Sequence, residues 1–390
     1  MNMRSKIIFV LLFSLFYACT NRKNTGEMSE YDCSLDKIPE VVRCYKSSLY
    51  KDVNVLILDS LAPPLRGIVK MQECEKGLYV LDASNALFLF DNRGRYLRQI
   101  GGVGNGPGEY RAISDFVVDP VSQSIYVLES TVQAIYVYDG VTGRFIHSIK
   151  LDDEEYRSRY LGYCDGSLFT DLYPKGEGKY LLRKVSWHRN EPDEYFLDRS
   201  VDNLGWPHVS GTSPFYQSGH GSFYFVPTFS RKIYEWRPDG IRPFFTVDSR
   251  EWMDRRTVDR ALEKGWQELI DANRFYNLSS LVVNDRFVLF NCQQGNQLTY
   301  VWGDITLGGM KRASLLVDDV LFAKEDDVCL PARYGTTDFN GDYYYMHPRE
   351  IAGFWKQMKA EKLPVALKGK LNDVRMLQDM NPVILYYTYK

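Results

Sequence analysis

The chain has 390 residues, of which 45% are hydrophobic, 25% charged and 14% aromatic, with 48 basic against 50 acidic side chains and a net charge of −2. That balance excludes intrinsic disorder, collagen-like repeats and a disulfide mini-scaffold. It gives no basic footprint, so nucleic acid is not an expected partner, and the length allows either two or three ordinary domains or one large repeat architecture.

Arg4 and Lys6 precede an unbroken apolar run, Ile7 to Phe16, of signal-peptide length and too short to span a bilayer as a helix. The run ends in Phe16-Tyr17-Ala18-Cys19, followed by polar Thr20 to Asn24. This resembles a bacterial lipoprotein cleavage box, in which the cysteine after a small residue is lipidated and becomes the new N-terminus. Phe16 and Tyr17 depart from the small or aliphatic residues usual there. The expected organisation is a signal peptide over 1–18, a tether over 19–45 lipid-anchored at Cys19, and a folded body over 46–390. The expected address is the cell envelope, with the lipid holding the protein to a membrane, by expectation the outer one. Export permits disulfides among Cys33, Cys44, Cys74, Cys164, Cys292 and Cys329, yet a chain with this much core does not need them. None is spaced as CxxC, which disfavours a zinc or thioredoxin-like site; buried free thiols are the plain reading, and Cys33 with Cys44 is the first pair to test.

Gly77 to Ile100 and Ser124 to Ile149 repeat one pattern. Tyr79-Val80-Leu81-Asp82 matches Tyr126-Val127-Leu128-Glu129, Leu87 to Asp91 matches Ile135 to Asp139, and Gly94-Arg95 matches Gly143-Arg144, at offsets of 47 to 49 residues. Such a period marks a repeated supersecondary unit, and short runs of Tyr, Val, Ile and Phe between Gly, Asp and Asn turns make it β. About four strands per unit is the count of a propeller blade.

Between the copies lie Gly104-Asn105-Gly106-Pro107-Gly108-Glu109-Tyr110-Arg111 and then Ile113 to Asp119. This block, with SIYVLES, AIYVYDG and GRFIHSI, resembles an NHL-type propeller repeat and, more closely, the six-bladed β-propeller lipoproteins of Bacteroidetes, over roughly residues 65–150. The resemblance implies an all-β, six-bladed propeller. The glycine string is turn chemistry: it lacks the G-x-G-x-x-G spacing of a dinucleotide site and the Gly-Lys-Ser/Thr of a P-loop, and a strand follows it.

Strand rhythm continues through Tyr160–Tyr163, Ser167–Tyr173, Lys179–Trp187 and Glu194–Asp198 for a third blade. A fourth takes Phe223–Val226, Lys232–Trp236 and Phe244–Val247, and a fifth Ser279–Val283, Phe287–Cys292, Leu298–Trp302 and Ala313–Val317. The sixth offers Ala332–Thr336, Asp342–Met346 and Val383–Tyr389 and lacks one strand, while Val53–Leu58 at the other end is unpaired. Ring closure explains both: the N-terminal strand completes the last blade. Two helical insertions interrupt the rhythm. Ser249–Asn273 has a cap at Asp248 or Ser249, and Arg349–Lys362 carries Ile351, Phe354, Trp355 and Met358 as one apolar stripe. One falls between blades and the other between strands two and three of blade six, so both leave from the face that carries Glu109, Tyr110 and Arg111.

The five histidines show no HExxH spacing or metal-ligand pairing, and no G-x-S-x-G elbow appears. Asp338 to Asp342 lacks the twelve-residue calcium loop and reads as a hairpin turn. No metal or cofactor is expected, and no catalytic residue is assigned. Glu109, Tyr110, Arg111 and Trp355 are the ligand-binding candidates; for the first three, the alternative is that they hold neighbouring blades together. The expected function is a membrane-tethered, non-catalytic binding or scaffolding propeller for a glycan, peptide or envelope partner protein. The alternative is a propeller enzyme, a lyase or hydrolase, with its active site in the central channel.

Overall fold

The computed structural model describes residues 30–390 apart from 60–61, 152, 175–177, 187–190, 200–212, 218–222, 285–286, 305–307, 330–340 and 371–379. The signal peptide, Cys19, the strand expected at Ala332–Thr336 and most of the Asp338–Asp342 turn lie outside the described residues. Six sheets follow one another around a ring and make a six-bladed β-propeller. From the axis outward, blade one is Ile68–Cys74, Gly77–Asp82, Leu87–Phe90 and Tyr96–Ile100, and blade two is Asp115–Val118, Ser124–Glu129, Ala134–Asp139 and Phe145–Lys150. Blade three is Leu161–Cys164, Ser167–Asp171, Tyr180–Val185 and Glu194–Asp198. Blade four runs Phe215–Gln217, Phe223–Phe225, Lys232–Arg237 and Gly240–Asp248, and blade five Phe275–Val283, Val288–Gln294, Gln297–Asp304 and Gly308–Ala313.

The period-2 pattern packs the ring. In blade two, Ile125 and Val127 point into the seam with blade one, against Tyr79, Leu81 and Leu89. Tyr126 and Leu128 point the other way, into the seam with blade three, against Leu161, Leu168 and Val185. Alternate residues of one strand therefore belong to two different cores, as an antiparallel sheet buried on both faces requires. The blade-five expectation at Ala313–Val317 is displaced: the ladder strand is Gly308–Ala313, and Leu316–Val317 instead pairs with the N-terminal segment.

Closure is as the strand count requires. Tyr50–Ile57 is the outermost described strand of blade six and runs antiparallel to Val383–Tyr389, with Val53 opposite Tyr387 and Ile57 opposite Val383. Val383–Tyr389 pairs on its other side with Gly341–Met346. The segment ahead of the closing strand is no free tether. Tyr31–Ser34 adds to blade four as a fifth strand, parallel to Gly240–Asp248; Glu40 bridges to Arg312 of blade five; Cys44–Tyr45 runs beside Leu316–Val317. The reason is apolar: Cys33, Leu35 and Ile38 are buried in the core between blades four and five, and Cys44 in that between five and six. Cys33 and Cys44 thus sit on different blades, and all six described cysteines are free thiols.

Where this strap turns into the closing strand, Lys46 is 2% exposed and its Nζ lies 3.1 Å from Asp318 Oδ2. The ammonium stands 3.7 Å from the ring centre of Tyr387 and 4.1 Å from that of Tyr344, and the Tyr387 hydroxyl donates to Asp318. Tyr50 and Tyr389 donate to the buried Asp342 beside it.

Strands in a blade alternate in direction, so links from one blade to the next and links between second and third strands share one face, the link face. The first helical insertion is two helices, not one. Helix α1, Arg255–Lys264, is capped by Asp254, whose carboxylate accepts the Thr257 N–H at 2.9 Å. Gly265 at φ +108° ends it, and α2, Gln267–Ala272, follows and stops at left-handed Asn273. The second insertion is also shorter than its stripe: α3 spans Pro348–Phe354, and after a turn α4 spans Val365–Lys370. No helix among the described residues is long and apolar enough to cross a membrane.

Removing the Lys46 charge leaves Asp318 buried without its counter-ion. Lys46→Met is expected to lower stability by about 3–5 kcal/mol in denaturant unfolding. Val42→Ala, on the same strap but 72% exposed, should stay within about 0.5 kcal/mol of the parent. Equal losses from the two would refute the role given to the ion pair.

Candidate functional site at the channel mouth

Side-chain hydrogen bonds tie the innermost strands of blades one, two and three in series, and another ties those of blades four and five. Lys70 of blade one places Nζ 2.6 Å from Asp115 Oδ1 of blade two and 2.8 Å from the Phe116 carbonyl. Asp115 Oδ2 accepts the Leu161 N–H of blade three at 2.8 Å. The Tyr216 hydroxyl of blade four accepts the Ser280 N–H of blade five at 3.1 Å. Asp115 opens its strand, so this chemistry sits where the channel meets the link face.

One acidic position recurs there. Asp82, closing the second strand of blade one, accepts the Gly67 N–H at 3.0 Å; Glu129 does the same in blade two for Arg111 at 3.2 Å. In blade three Asp171 Oδ1 accepts from both Arg159 and Tyr160, each at 2.7 Å. The acid ties the incoming link to the blade, satisfying backbone donors that would otherwise be buried unpaired. Asp171 has a second property. Burial, with help from the charge of Asp115, pushes its carboxyl from 3.8 up to about 7, while the two N–H donors and Arg159 pull it down. Burial likewise raises Asp115, opposed chiefly by Lys70.

The rim above this pair is the link of residues 151–160 and the second-to-third-strand link of blade three. Tyr156–Arg157 pairs antiparallel with Tyr173–Pro174, placing Arg157 opposite Tyr173. Burial and Asp171 raise the Tyr173 hydroxyl, and Arg159 and Arg157 lower it, so both guanidinium groups act on one phenol. Buried Arg183 fixes the link from below, donating to Ser158 Oγ at 3.0 Å and Thr170 Oγ1 at 3.1 Å, with Asp153 and Asp193 at 3.7 and 3.6 Å.

Of the residues expected from sequence, Tyr110 is fully buried. Its hydroxyl donates to the Ile100 carbonyl at 2.8 Å, and its ring packs edge-on to Tyr138, whose hydroxyl donates to the Gly108 carbonyl at 3.0 Å. A Cβ at Gly101, φ +61°, would lie 2.8 Å from both rings, which is why the block needs glycine there. Glu109 is exposed but turned onto its own loop, accepting the Gly106 N–H at 2.8 Å. Arg111 is exposed and donates to Asn105 Oδ1 at 2.6 Å. Trp355 ends α3 half-buried against the core of blade six, near Lys356. The α3 insertion leaves from the link face but drapes outward: Lys362, just beyond it, pairs with Asp52 on the outermost strand. The structure does not bring Trp355 together with the Glu109 block. Lys70, Asp115, Arg157, Arg159 and Asp171 were not singled out from sequence. The available signal was a charge inside an otherwise apolar inner strand, and the repeat position shared by Asp82, Glu129 and Asp171. Among the described residues no group of three or more His, Cys, Asp or Glu is arranged to hold a metal ion.

The family described as "Domain of unknown function (DUF4934)" matches residues 40–388. Among solved structures, the chain is similar to a candidate exported protein from Bacteroides fragilis NCTC 9343, with 15% identity and a TM-score of 0.70 over 92% of this chain and 99% of that one. It is also similar to a member of the DUF4221 family from Bacteroides vulgatus ATCC 8482, with 10% identity and a TM-score of 0.51 over 87% of this chain and 97% of that one. At these identities the likeness is one of fold. No curated protein matches the chain.

The raised Asp171 fixes the sign of a pH effect. The folded state holds a proton that the unfolded carboxyl, at 3.8, releases, so this contribution to stability is complete below about pH 4 and is lost as pH rises through about 7. Asp171→Asn keeps the acceptor oxygen and cannot ionise. Its stability relative to the parent is expected to rise between about pH 4 and about pH 8 in denaturant unfolding; a difference that stays constant with pH would show that folding does not raise the Asp171 carboxyl.

Proposed function

We infer that this chain, which belongs to the DUF4934 family, is a binding or scaffolding propeller of the cell envelope. A lipid on Cys19 holds it to a membrane, by this reading the outer one, and it engages a glycan, a peptide or a partner protein at the channel mouth. The observation that carries the reading is at the link-face end of the inner strands, where Lys70 of blade one, Asp115 of blade two and the backbone of blade three are joined by charged hydrogen bonds beside the buried Asp171. The envelope address is supported by the apolar run and cysteine at the chain's start, and by the fold shared with a candidate exported protein.

A second reading, a lyase or hydrolase in the channel, draws support from one observation. Two coupled carboxyls, Asp115 and Asp171, lie together, and one titrates near neutrality, as a general acid or base does. The balance favours binding because both carboxyls are already engaged by backbone donors or by Lys70.

Two measurements test this. Cys19→Ala should move the protein out of the membrane fraction, and unchanged partitioning would refute the lipid anchor. Screening the full-length protein against glycan, peptide, ester and lactone libraries should give saturable binding without turnover. Turnover abolished by Asp171→Asn would replace the binding reading with the enzymatic one.

A further inference from the structure

We propose that blade six closes on a proton: Asp342 joins three strands as a neutral carboxyl, and its ionisation loosens the strand that shuts the ring. Asp342 lies on Gly341–Met346 and is 4% exposed. Its oxygens meet two hydroxyls, that of Tyr50 on the closing strand and, at 2.7 Å, that of Tyr389 on the strand between. In the two ladders Asp342 stands opposite Tyr387, and Tyr389 opposite Tyr50. One carboxyl thus reaches across all three strands.

A second carboxyl in the same core has what Asp342 lacks. Asp318 Oδ1 accepts the Val320 and Leu321 N–H groups at 3.3 and 3.0 Å, and Oδ2 faces the Lys46 ammonium at 3.1 Å and the Tyr387 hydroxyl. That shell suits a negative charge. Among the described residues no backbone N–H, lysine or arginine bonds to Asp342, and Lys46, the cation that acts on it, is committed to Asp318. The other titratable groups around it are phenols: Tyr344 on its own strand, Tyr387 on the next and Tyr300 of blade five, which acts on Tyr344. On the closing strand Asp52 is paired with Lys362. Lys46 and Asp318 cancel, as do Lys362 and Asp52, so an ionised Asp342 is a lone buried charge. Burial raises its carboxyl, opposed by the hydroxyls of Tyr50 and Tyr389 and by Lys46. A hydroxyl accepts as readily as it donates, so on protonation one tyrosine turns to accept from the acid while the other still donates.

Exposed by opening, the carboxyl ionises at 3.8; closed, it ionises higher. The closed blade is therefore favoured most below about pH 4, and each pH unit above that shifts the balance up to about tenfold toward opening, until the carboxyl titrates in place. The closing strand follows directly on the N-terminal strap, so the body's grip on that segment weakens as the proton leaves.

The test is amide hydrogen exchange of the full-length protein in detergent at about pH 4 and about pH 8, corrected for the intrinsic pH dependence of exchange. In the parent, protection of residues 50–57 is expected to fall at least about tenfold between the two, and at the higher pH to lie below that of residues 124–129 in blade two. Asp342→Asn keeps both hydroxyl partners and cannot ionise, so its fall should be at least about tenfold smaller. Tyr50→Phe, in which the carboxyl still titrates, should lose protection at both pH values and keep the fall. The proposal is overturned if the parent shows no fall, if Asp342→Asn falls as steeply as the parent, or if residues 50–57 and 124–129 are equally protected at the higher pH, which would mean that the whole molecule opens at once.

Discussion

A ring of sheets is stable only when its two ends meet, and here they are fastened by a buried charge. Lys46 enters blade six from the N-terminal strap and meets Asp318, which arrives from the end of blade five, under the rings of Tyr344 and Tyr387. An ammonium and a carboxylate taken out of water cost more than their attraction returns unless other groups complete their shells. The Tyr387 hydroxyl and two aromatic faces do so, and Tyr387 itself lies on the strand that pairs with the closing strand. The contact is thus formed by three distant segments at once and specifies which strand closes the ring.

The ring then determines where chemistry can occur. An acid at the end of a second strand recurs in blades one, two and three because each incoming link needs an acceptor for its backbone donors. In blade three the same carboxyl is fully buried, and burial, with a smaller push from the charge of Asp115, raises it. A scaffold position thereby becomes a titrating one without any new residue type.

The three outer strands of blade one and all four of blade two were legible, since their alternation and their repeat agree, whereas the innermost strand of blade one, Ile68–Cys74, was not picked out. The closing strand was legible because an unpaired strand at one end matched a missing one at the other. Other features depended on neighbours that sequence does not display. Phe215–Gln217 is too short to carry a pattern, and the strap reads as polar chain because its four buried side chains are spaced among charges. Gly265 was read as helix interior, yet its backbone takes a conformation that ends a helix. At the site, the Glu109-Tyr110-Arg111 block was legible as a unit. Its hydrogen bonds to Gly106, Ile100 and Asn105 keep those side chains within the seam of blades one and two. The arginines at 157 and 159 lie in a link without periodicity, and only the fold brings them above Asp171.

The strap also orients the molecule. Tyr31–Ser34 runs parallel to the outer strand of blade four, and Glu30 pairs with Arg237 at the hairpin end of that blade, opposite the links. Glu30 therefore stands on the side of the disc away from the links, and the strap crosses blade four from that side toward the link face.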